Sequence, residues 1–161
     1  MQAVAVDPGT VLKVIHILGA SVLFGTGLGT AFYIFRAWRI GDIDDIASTA
    51  RAVVVADFAF TTPAVVIQPL TGILLAGEYG YALDQGWIVA SLALYLLIGA
   101  LWLPVVWLQS RLARLAAAAR EAGTSLPDRF HTLMRIWFAL GWPAFASLIA
   151  IVWLMVAKPD I

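Results

Sequence analysis

The chain has 161 residues, 62% of them hydrophobic and 12% charged, with ten basic and ten acidic side chains that cancel. A soluble domain is nearer half apolar and a quarter charged, and a neutral chain carries no net field to draw in nucleic acid. The absence of cysteine excludes disulfides, thiolate metal sites and covalent c-type haem attachment.

No basic stretch followed by a small-residue cleavage site opens the chain, so no cleaved leader is expected. The first long apolar run, Val11–Phe35, holds one formal charge, Lys13, and one imidazole, His16. About 20 helical residues cross a bilayer core of about 30 Å, so this run reads as a transmembrane helix. Gly19, Ala20, Leu23 and Gly27 share the face of His16 at helical spacing. Gly25 and Gly29 lie on the opposite side, where small residues four apart suit close contact with a second copy or a membrane partner.

The second run, Val53–Gly77, contains Asp57 as its single formal charge. Asp57, Thr61, Ala64, Gln68, Thr71 and Leu75 follow each other at alternating steps of four and three, which is one stripe of a helix. Such a stripe either locks the helix to its neighbours or lines a minor proton or ion route. Pro63 and Pro69 lack an N–H, and each frees a carbonyl one turn back. Upstream, Asp42 or Asp44 offers an N-cap for an early helix start.

The third run, Trp87–Leu108, is uncharged and leads into RLARLAAAAREAG (111–123), an alanine-rich helix former with Gly123 as its C-cap. SLPD (125–128) resembles a capping box with Ser125 as cap. The fourth run, Leu133–Val156, has Arg135 near one end and stops before Pro159. Four such helices cannot be the buried core of a soluble protein, because too little polar sequence remains to coat it. The expected fold is therefore all-α: one domain, an up-down transmembrane four-helix bundle.

Arginine sets the orientation. Arg36, Arg39, Arg51, Arg111, Arg114, Arg120, Arg129 and Arg135 cluster around the first and third connections, against Lys13 and Lys158 on the other side. This asymmetry places both termini outside. At 1.5 Å per residue, His16 then lies roughly 8 Å below the outer end, Thr71 about 9 Å, Gln68 about 13 Å, Ser91 about 6 Å and Tyr95 about 12 Å. One outer-half polar layer is expected, in which His16 bonds Gln68, Thr71, Ser91 or Tyr95. His131 belongs to the opposite end, and Asp57 and Arg135 enter from one side and form a candidate pair.

LKVIHILGASVLFGTG (12–27) and RIWFALGWPAFASLIAIVWLMVAKP (135–159) resemble the first and last helices of a four-helix bacterial membrane family known as a domain of unknown function. The resemblance implies a bundle in a bacterial inner (cytoplasmic) membrane. More distantly, the opening and GWIVASLALYLLIGA (86–100) resemble protoporphyrinogen oxidases of the HemJ type and copper-resistance membrane proteins of the CopD type. In the oxidases a first-helix histidine and a third-helix lysine go with haem b. His16 matches that histidine, whereas Ser91 stands at the lysine position, and FYIFRAWRI (32–40) and LWLPVV (101–106) supply no further histidine.

His16 is thus the candidate haem b axial ligand, or a metal ligand, with Met155 a weak sixth-ligand candidate. Three functions stay open, and whether the chain is an enzyme stays open with them. They are a haem- or metal-associated redox protein, a cofactor-free structural or assembly subunit, and a minor proton or ion transporter.

Overall fold

The computed structural model describes residues 7–161. Its four long helices are α1 (Pro8–Ile40), α2 (Ile43–Glu78), α3 (Gly86–Ala122) and α4 (Asp128–Ala157), each long and apolar enough to cross a membrane. No strand occurs among the described residues. Helix α2 is continuous but changes winding at Asp57–Thr61, a π turn between the α segments Ile43–Ala56 and Thr62–Glu78.

Every helix runs past its expected span, for reasons written in its ends. Asp7 accepts from the Thr10 N–H at 3.0 Å and from its hydroxyl at 3.1 Å, and Pro8 fills the first turn, where no N–H is needed. Asp42, rather than Asp44, caps α2 by accepting from the Asp45 N–H at 2.8 Å. Gly41 (φ 83°) and Gly123 (φ 63°) end α1 and α3 in the left-handed region. The capping box expected at Ser125 does not form. Pro127 is extended (φ −70°, ψ 152°), α4 starts after it, and no side chain caps it. A residue preceding proline is driven out of the helical region, so Leu126 could not serve as a first-turn residue.

Packing is pairwise. Helix α3 lies along α4, and α1 lies along α2. The inner half of α2 also packs on α3, joining the two hairpins at the arginine-rich end, which is here termed inner. There all four helices contribute to one buried core, with Ala37, Ile46, Ala116, Phe130 and Met134 fully enclosed. Alanines at 37 and 116 let the backbones approach. A smaller outer cluster contains Ala76, Trp87, Ile88 and Leu154 and receives nothing from α1.

Large apolar side chains cover the outside, including Val156 (80% exposed), Leu96 (73%) and Leu103 (66%). Only a hydrocarbon solvent tolerates such a surface. The hydroxyls obey the same constraint. Ser21, Thr30, Ser91, Ser110 and Ser147 each donate to a carbonyl one turn back in their own helix. At the outer end the Lys13 and Lys158 ammonium groups each sit 4.4 Å above a ring, Tyr79 and Tyr81 respectively. At the inner end the Trp38 indole N–H donates to His131 Nδ1 at 2.9 Å, which makes His131 an interfacial anchor.

Truncating the enclosed Phe130 to alanine should destabilise the bundle by about 3–5 kcal/mol. The same truncation at Phe32, 59% exposed on α1, should leave it nearly unchanged. Thermal unfolding of the two variants in one detergent measures the difference.

Candidate functional site

The outer-half layer forms around His16, and α2 supplies its partners. Thr71 Oγ1 lies 2.8 Å from His16 Nδ1 and 2.8 Å from the Ile67 carbonyl. Threonine has one hydroxyl proton, and both oxygens of the second contact need it between them. Thr71 therefore donates to Ile67, and His16 Nδ1–H donates to Thr71. That tautomer leaves Nε2 with a lone pair and, among the described residues, no hydrogen-bond partner.

Gln68 completes the clamp. Its satisfied amide orientation has Nε2 donating to the His16 carbonyl at 2.9 Å and Oε1 accepting from the Ala20 N–H at 3.2 Å. The same amide nitrogen is 3.3 Å from His16 Nδ1. Making Nδ1 the acceptor would leave one of the two 2.8 Å contacts of Thr71, with His16 or with Ile67, without a proton, so the longer approach does not set the tautomer. One side chain of α2 thus grips the backbone of α1. Two glycines make room for this. A Cβ at Gly19 would come within 2.8 Å of the Gln68 amide, and one at Gly72 within 3.3 Å of His16 Cε1.

The stripe on α2 does not act as a unit. Gln68 and Thr71 face α1, whereas Asp57 faces α3. Asp57 accepts from Gln109 Nε2 at 2.8 Å and from the Trp102 indole N–H at 3.4 Å. The expected Asp57–Arg135 pair is absent, since α3 reaches the carboxylate first and Arg135 is exposed. The ion pairs among the described residues are Arg36–Asp45 at 3.5 Å and Arg120–Asp44 at 4.0 Å. Thr61 closes the π turn without a side-chain bond, while its neighbour Thr62 donates to the Asp57 carbonyl at 3.1 Å.

Tyr95 and Ser91 are not partners of His16. The Tyr95 hydroxyl donates to the Val65 carbonyl, the one that Pro69 leaves without its helical N–H. Ser91 is buried and donates to the Trp87 carbonyl at 2.7 Å. Met155 packs against the outer cluster of Trp87 and Leu154. Gly25, Gly27 and Gly29 meet nothing within 4 Å where a Cβ would stand, so packing inside the chain does not call for them.

Residues 10–159 match a family described as "Predicted integral membrane protein (DUF2269)". The chain belongs to that family. The match covers all four spans of the DUF2269 bundle and agrees with the four-helix family resemblance of its first and last helices. No curated protein and no solved structure matches the chain.

Sequence reasoning about this DUF2269 chain missed Gln109 and Trp102 as partners of Asp57. Gln109 is a lone amide in an apolar helix, the same signal that marked Gln68. It fell one residue beyond the expected end of the third span. Gly72 adjoins Thr71 on the stripe and could have been read as space for a ring.

Gly19→Leu should force the α1–α2 clamp apart and cost about 1–3 kcal/mol, whereas Gly25→Leu should not destabilise the isolated chain. Tyr95→Phe, which orphans the Val65 carbonyl, should cost about 1 kcal/mol. Reversible unfolding in mixed micelles distinguishes these three outcomes.

Proposed function

We propose that this protein is a small redox protein of a bacterial inner membrane that holds a b-type haem, or another metal, through His16 Nε2. One observation carries the reading. Nδ1–H is committed to Thr71, whose own proton is committed to Ile67, so the remaining ring nitrogen presents a lone pair with no partner among the described residues. A ligating imidazole characteristically donates its other N–H to an acceptor that fixes the ring.

The residues fit the near side of such a site. Thr71 holds the proton, Gln68 holds the helix that carries the ring, and Gly72 leaves the ring edge unobstructed. No group of three or more His, Asp or Glu residues able to hold a bare metal ion occurs among the described residues. That favours haem, which brings its own four nitrogen ligands and asks the chain for one. The chain places no second imidazole at this level, because His131 is engaged with Trp38 in the inner half. A bound haem with an open position would supply one-electron chemistry or bind a diatomic gas.

Protein purified in detergent from haem-supplied cells should show a Soret band that His16→Ala abolishes. Thr71→Val, which leaves Nδ1–H without an acceptor, should weaken or shift it. A colourless, folded preparation overturns this reading.

A second reading, a cofactor-free structural or assembly subunit, draws support from α1. Its outer half packs on α2 and stays outside the outer cluster, and Gly25 and Gly29, on one face, leave a bare backbone surface. Close helix–helix contact in lipid favours such surfaces. Because the chain has no cysteine, Gly25→Cys introduces a unique thiol. Its crosslinking in native membranes to a second copy or another protein supports the subunit reading, and a wholly monomeric product counts against it.

A further inference from the structure

Weak points in all four helices fall at one level of the bundle. The contacts of His16 with Thr71 and of Gly19 with Gln68 fix the antiparallel register of α1 on α2. Continued inward, that register sets Gly25–Gly29 opposite the π turn Asp57–Thr61. On α3, Trp102 and Gln109 both reach Asp57 and bracket Pro104. On α4, Phe145 meets Phe24 at 5.0 Å and Phe138 meets Phe35 at 5.8 Å, and Gly141 and Pro143 lie between them.

Each of these features loosens a helix. Glycine adds backbone freedom, a π turn interrupts the regular ladder, and proline removes one of its rungs. The glycines at this level are not explained by packing. A Cβ at Gly25, Gly27, Gly29 or Gly141 would meet nothing within 4 Å, in contrast to Gly19 and Gly72. The two sides of this level also differ. Inward, one core unites four helices; outward, α1 is clamped to α2 and absent from the outer cluster, to which α2 gives only Ala76 of its buried residues. The outer segment of α2, Thr62–Glu78, packs on α1, whereas its inner segment, Ile43–Ala56, packs chiefly on α3.

We propose that the bundle has a joint at this level. The outer half of the α1–α2 hairpin swings as a unit against α3–α4, with the inner core fixed. The catch is the Tyr95 hydroxyl on the Val65 carbonyl, just outward of the π turn. Asp57, held by two side chains of α3, is the pivot.

The cysteine-free sequence allows site-directed spin labelling of the full chain in lipid nanodiscs. Labels at Val14 and Val152, both exposed, span the outer half, and labels at Arg39 and Glu121 span the inner end. The outer distance distribution should be the broader of the two. It should widen in Tyr95→Phe and narrow when Gly25, Gly27 and Gly29 are all changed to alanine. The inner distribution should stay narrow in every variant, which also reports that each variant is folded. An outer distribution that neither Tyr95→Phe nor the alanine replacements alter, with the inner one intact, overturns the joint.

Discussion

Lipid cannot hydrogen-bond, and the arrangement of this protein follows from that. Every polar group in a span must find its partner in the protein. Most hydroxyls solve the problem locally, on a carbonyl of their own helix. Longer groups reach across: Gln68 to the α1 backbone, Gln109 and Trp102 to Asp57, and Tyr95 to the carbonyl that Pro69 exposes. These few crossings, rather than the hydrophobic effect, give the helices a unique register, since apolar side chains are as well solvated by acyl chains as by each other.

The crossings also explain why His16 differs from its neighbours. Most other intramembrane polar groups are bonded where they stand, although the buried Trp137 indole N–H has no partner among the described residues. The imidazole is bonded on one side, in a geometry that fixes which nitrogen carries the proton. An unused lone pair in a medium without donors is a group held ready, and the haem reading rests on it. The carboxylate of Asp57 is the opposite case. It accepts from two neutral donors and has no cation paired with it among the described residues, so it ties α2 to α3 at the π turn.

Much of the fold was legible because membrane helices announce themselves by length and apolarity. Asp42, Gly123 and Pro159 marked helix boundaries correctly, since each acts through its own backbone or a neighbour three residues away. Ser125 misled because the proline rule outweighed the capping pattern. The His16–Gln68–Thr71 group was legible from depth alone, as antiparallel helices of equal rise bring equal depths together. Depth says nothing about azimuth, however. Ser91 and Tyr95 lie at the same level and turn elsewhere, and Asp57 meets Gln109 instead of Arg135 because rotation of α2 about its axis decides the partner. The π turn was not foreseen. It arises where Pro63 removes an N–H, and no side-chain pattern distinguishes that response from an ordinary kink.

The hairpin packing has a consequence for how the protein is made. Chains enter the bilayer from the ribosome in order, and here each odd-numbered helix finds its main partner in the next one synthesised. The grip of Gln68 on α1 can close before α3 has emerged, and α3 then waits only for α4. Biogenesis therefore reduces to inserting two pairs and docking them, and that docking gives Asp57 and the Val65 carbonyl of α2 their partners on α3.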